Sequence, residues 1–96
     1  MPYIRKDLRE QIDERIEELA VAIVQHGGNN ARPGLMNYAL TKLIKDVYRI
    51  YPPTEAPRYH EWNEIVGFME CCKLELYRKG IAPYENEKEQ ENGPVL

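Results

Sequence analysis

Eight polar side chains have the chemistry of a binding site for a polar ligand. They fall in two predicted helices and comprise Tyr38, Lys42, Tyr59, Asn63, Glu70, Lys73, Tyr77 and Arg78. Phenol rings stack on flat bases and bind cations, while ammonium and guanidinium groups bind anions. The set therefore fits an anionic or nucleotide-like ligand.

Lys73 is the least ordinary of these residues, because helical spacing places it beside the apolar stripe of its own helix. A buried ammonium group needs a partner. One interpretation is a structural network, in which Glu70 pairs with Lys73 at i,i+3 and tyrosines cover the lysine stem. The other is a pocket at a helix or subunit interface that a polar ligand completes. The sequence leaves both open.

The elements that must position these side chains are helices. Apolar residues recur every three or four positions in three stretches, which predicts amphipathic helices over about 7–26, 35–51 and 59–80. We expect an extended arm over 1–6, a loop over 27–34 because of its glycine, asparagine and proline residues, and a tail over 81–96. The predicted fold is all-α: a single helical domain over 1–96, built as a small antiparallel three-helix bundle with a short C-terminal helix or tail.

The length, charge and composition of the chain exclude several classes of protein. The chain has 96 residues, a formal net charge of −3 and 43% apolar residues, which predicts one domain with a modest core and disfavours bulk nucleic-acid binding. Seven tyrosines and a small core favour a homo-oligomer. No run reaches the length of a membrane span, and the start is not a signal peptide. The adjacent Cys71 and Cys72 suit a reducing compartment. We expect a cytoplasmic protein that does not bind membranes.

The sequence contains little that supports a catalytic site. The chain has no serine and its two histidines are far apart, which disfavours a nucleophilic triad. His60 and Glu64 share a face, but a metal site needs at least a third ligand. The acidic pairs Glu14/Glu17 and Glu61/Glu64 resemble the magnesium carboxylates of all-helical nucleotide pyrophosphatases, although both pairs lie off their apolar stripes. We expect no catalytic residues, no metal and no cofactor.

Three segments carry a resemblance to a known family: LMNYALTKL at 35–43, WNEIVGFMECCKLELYRK at 62–79 and APYENEKEQENG at 82–93. Together with the MPYI start they resemble small proteins of unknown function from tailed phages and their bacterial hosts. The chain departs from that pattern in its longer first glycine-rich segment and at Pro94, where the family tends to have aspartate. The resemblance implies a phage or mobile-element origin, and a host-cell cytoplasmic location if the protein is phage-encoded; it implies no activity.

Three functions remain open on the sequence. The first is a non-enzymatic, phage-type binding protein that sequesters a nucleotide-like or anionic ligand at a subunit interface, as counter-defence proteins do. The second is a protein–protein interaction module that acts on a host or phage protein through a helical face. The third is a metal-dependent nucleotide hydrolase that uses the acidic pairs.

Overall fold

A computed structural model describes residues 2–96, and this part of the chain is helical, with no β-strand. The helices are α1 (Lys6–Tyr48), α2 (Tyr59–Leu76) and α3 (Ala82–Asn92), and a π-helical turn, Tyr77–Ile81, joins the last two. The chain divides into two compact units, which are residues 3–62 and residues 63–96 with Pro2. The all-α class is confirmed, whereas the three-helix bundle and the single domain stay predictions.

The break predicted over 27–34 lies at Gly28, and the other residues of this segment belong to α1. The chain turns at Gly28, whose φ of 55° and ψ of −173° interrupt the helix. This conformation is open to glycine and to almost no other residue, so one glycine makes the turn. Pro33 lies near the start of the helix that resumes, where a missing N–H costs least. We call residues 6–27 the first arm and residues 29–48 the second arm.

The link between α1 and α2 is held by polar contacts. Arg49 caps α1 in the left-handed conformation (φ 57°), and its guanidinium donates two hydrogen bonds, of 2.9 and 3.0 Å, to the carboxylate of Glu55. Tyr51 and Glu55 form an isolated β-bridge, and the Pro52–Pro53 peptide bond is cis. The proline-rich segment therefore ends α1 and leads into α2.

Helix continues past Gly80, where the sequence predicts a stop. Pro83 has no N–H to donate to the carbonyl four residues before it, so a regular α-helix is interrupted there. The backbone of the π turn is wound more widely than an α-helix. The N–H of Ala82 donates a hydrogen bond to the carbonyl of Tyr77, five residues earlier, instead of four. The segment 81–96 is thus mostly α3, which corresponds to the short-helix form of the predicted tail.

The predicted core stripes are largely uncovered. Among residues 2–96, Ile65 alone is fully buried, at 7% exposure. The other α2 stripe residues, Trp62, Met69, Cys72 and Leu76, remain exposed. The regular spacing of the stripes is typical of helix faces that pack against another surface.

Candidate functional site

The two arms of α1 fold back against each other and line one groove of about 430 Å³. Its apolar lining comprises Leu19, Ala22, Ile23, Leu35, Ala39 and Leu43. The alanines contribute little volume, which leaves room for an occupant. At the bend, a Cβ on Gly27 would lie 2.7 Å from Cδ1 of Leu35, so a larger residue there would require that leucine side chain to move. The groove therefore follows from the turn at Gly28.

A smaller hollow of about 200 Å³ lies beside the groove, on one exposed face of the second arm. Its walls are Tyr38, Thr41, Lys42 and Lys45. Tyr38 and Lys42 line both depressions, so the hollow and the groove share an edge. The Nζ of Lys45 also stands 5.5 Å from the ring centroid of Tyr51. A phenol ring, a hydroxyl and two ammonium groups in so small a space can bind an anion or the edge of a base.

The structure thus brings Tyr38 and Lys42 together, as their i,i+4 spacing predicts. Arg49, which shares their helix face in sequence, is engaged elsewhere: the Glu55 carboxylate raises the pKa of its guanidinium and holds it in the link. Thr41 takes a place in the hollow that the predicted set does not include. Its hydroxyl donates a hydrogen bond of 3.1 Å to the side-chain oxygen of Asn37.

The α2 members of the predicted site lie on one flank of that helix. Tyr59, Asn63, Glu70 and Lys73 are spaced to share this flank, and all four are exposed. Glu70 and Lys73 form an ion pair of 3.0 Å with both side chains open to solvent. The predicted pairing is therefore present, but as an exposed pair that contributes at most about 0.5 kcal/mol.

Tyr77 and Arg78 belong to the π turn and are tied to neighbours on the same stretch of helix. The hydroxyl of Tyr77 donates to the Glu85 carboxylate at 3.3 Å, across the turn. The guanidinium of Arg78 pairs with Glu75 at 2.7 Å. These contacts hold the π turn in place, and a role of either side chain in ligand binding stays a prediction.

The hydrolase alternative needs carboxylates that converge on a metal. Within residues 2–96 no group of three or more histidine, cysteine, aspartate or glutamate side chains is arranged to hold a metal ion. Both cysteines are free and exposed.

The described part of the chain contains no helix long and apolar enough to cross a membrane. This agrees with the low mean hydropathy of the sequence, −0.65.

The model of the family described as Domain of unknown function (DUF6899) matches residues 1–95 of the chain. The chain belongs to this family. The resemblance to an uncharacterised family is confirmed at this level. No curated protein matches the chain, and no solved structure does. Since the description of DUF6899 assigns no activity, function must be argued from the groove and the hollow.

Proposed function

We propose that this DUF6899 protein is a non-enzymatic binding protein that sequesters an anionic, nucleotide-like ligand in the hollow at Tyr38, Thr41, Lys42 and Lys45. One observation carries the proposal: Tyr38 and Lys42 line both the cationic hollow and the apolar groove. A protein that covers the groove would place the hollow at the edge of the resulting interface. A ligand there would be shielded from water, which strengthens its charge-assisted contacts.

The chemistry of the hollow sets the ligand class. Two ammonium groups supply donors for a phosphate or another anion, and the Tyr38 ring offers a flat face to a base. The resemblance to phage proteins supports a sequestering role by analogy with counter-defence proteins. Such a protein only has to bind its ligand tightly, and it needs no catalytic group. The polar flank of α2, with Tyr59, Asn63 and Lys73, would add contacts if it belongs to the same site.

Isothermal titration calorimetry of the full chain tests this proposal, with ATP, a cyclic dinucleotide and inorganic phosphate as separate titrants. We expect binding of at least one nucleotide. Lys42→Gln should weaken that binding about 10- to 100-fold, because a hydrogen bond to a charged group contributes about 1.5–3 kcal/mol. Lys88→Gln is the matched control, since Lys88 pairs with Glu91 on α3. Lack of binding to all three titrants, or equal loss in both variants, would contradict the proposal.

A second test asks whether α2 takes part. Lys73→Met removes the ammonium group of the exposed pair with Glu70 and leaves the hollow intact. Loss of nucleotide affinity in this variant would extend the site to the α2 flank, whereas unchanged affinity would confine it to α1.

The second candidate function is a protein–protein interaction module. The apolar character of the groove favours it, because an amphipathic helix laid into a groove is a common mode of protein recognition. In this case substitutions in the groove, such as Leu43→Lys, would abolish partner binding while Lys42→Gln would spare it. The third candidate, the hydrolase, lacks its carboxylate cluster within the described residues.

A further inference from the structure

We propose that the groove is filled by a second copy of this chain, so that two α1 hairpins pair through their grooves into an isologous four-helix arrangement. The second copy is then the protein that covers the groove. The inference rests on the proposed function only for the position of the hollow beside the groove. The inference is carried by the uncovered stripes of both arms, by surface area and by charge.

The uncovered stripes run along and beside the groove. On the first arm the stripe coincides with the groove lining at Leu19, and on the second arm it borders the groove and meets it at Leu43. Eight large apolar side chains of these stripes are between 42% and 65% exposed: Leu8, Ile12, Ile16, Leu19, Met36, Leu40, Leu43 and Val47. Scattered apolar residues are normal on a surface, but two contiguous stripes that flank one groove mark an interface.

The surface area is large enough for a stable dimer. The accessible surface of the chain is 8748 Å², whereas a folded monomer of 11.3 kDa exposes about 5,700 Å². A standard protein–protein interface buries about 800 Å² on each partner. The difference belongs to the whole chain, and the α1 hairpin contributes its eight half-exposed stripe side chains to it. Association therefore has ample uncovered surface to use.

The net charges of the two arms set which arms can lie against each other when two copies pair. Residues 6–27 carry six acidic and three basic side chains, for a net charge of −3, while residues 29–48 carry three basic and one acidic, for +2. When two hairpins pair about a two-fold axis, the first arm of each copy can lie against the second arm of the other. Both contacts then join opposite charges, and pairing of two first arms is disfavoured. One sequence thus supplies both complementary surfaces.

Sedimentation equilibrium of the full chain at about 10 µM, a concentration at which interfaces of this size associate, tests the proposal. The wild type should have twice the 11.3 kDa mass of the chain. Leu43→Lys should raise the dimer dissociation constant by about 100-fold or more, because symmetry places the unpaired charge in the interface twice. Ile16→Lys should do the same from the first arm.

Val24→Lys is the matched control. Val24 belongs to the first arm, is 74% exposed and lies outside the groove lining, so its variant should stay dimeric. Leu43 and Ile16 are themselves more than half exposed in the single chain, so circular dichroism should show all three variants to be helical. A monomeric wild type, or dimers of equal strength in Leu43→Lys and Val24→Lys, would overturn the proposal. Nucleotide titration of the same samples decides the ligand proposal separately.

Discussion

Replacement of Gly28 by alanine tests the turn that creates the hairpin. Gly28 has a φ of 55° and a ψ of −173°, a region in which an L-residue's Cβ meets its own backbone. No neighbouring atom lies within 4 Å of the position that a Cβ would take, so backbone strain is the main cost. That strain is about 1–3 kcal/mol. For a domain of this length, it corresponds to a fall in melting temperature of about 4–24 °C.

Gly34→Ala is the matched control for this prediction. Gly34 is in the helical second arm without a positive φ, and a Cβ there also meets nothing within 4 Å. Alanine exceeds glycine in helix propensity by about 1 kcal/mol, so Gly34→Ala should raise the melting temperature. The same glycine-to-alanine substitution at two positions six residues apart is therefore expected to change the melting temperature in opposite directions.

The assay is thermal unfolding followed by circular dichroism, with protein concentration held constant because self-association makes the melting temperature concentration-dependent. A Gly28→Ala variant at least as stable as the wild type, and of the same oligomeric mass, would refute the Gly28 turn. A stable variant of larger mass would instead indicate that the arms have straightened into one helix and exchanged between copies.

Three further predictions concern single contacts. Lys73→Met should change the free energy of unfolding by less than about 0.5 kcal/mol in urea titrations, because its pair with Glu70 is exposed; a loss above about 2 kcal/mol would mark a buried network. Pro83→Ala should stabilise the chain by less than about 1 kcal/mol, because the π turn already accommodates the missing N–H; a gain near the 3 kcal/mol of a helix-interior proline would contradict that role. The carboxyl of Asp7 should titrate below its ordinary pKa of 3.8 in NMR experiments, because the Arg5 guanidinium pairs with it. The lowered pKa means that this pair contributes stability at pH values above the ordinary pKa and loses it as pH falls through the lowered pKa, and Arg5→Gln should raise the pKa of Asp7.

The sequence predicts which stretches are helical, but it does not predict where the helices end. Stripes such as Leu8–Ile12–Ile16 have a period that only a helix can satisfy on one face. Glycine, asparagine and proline residues at 27–34 predict a loop, because each disfavours a helix interior. In the structure one residue, Gly28, makes the whole turn, and the rest continue the helix. Likewise Gly80 and Pro83 do not end the helix, because a π turn carries it past them.

The candidate site was partly predictable for a similar reason. Tyr38 and Lys42 are neighbours in any helix, so their meeting in the hollow follows from spacing alone. The removal of Arg49 from that face was not predictable, because its partner Glu55 lies across a proline-rich link whose path the sequence does not specify. Periodicity predicts that the apolar stripes of the helices form a core. It shows that a helix face packs against something, but it does not show which chain supplies the partner surface.

The most direct measurement of the central claim is an isotope-filtered NOE experiment on a mixture of labelled and unlabelled full-length chains. The filter retains only contacts between different copies. Self-pairing through the groove predicts inter-copy NOEs from the methyl groups of Leu43 to methyl groups of the first-arm stripe, at Ile12, Ile16 or Leu19. Absence of inter-copy NOEs, or inter-copy NOEs confined to residues outside α1, would contradict it.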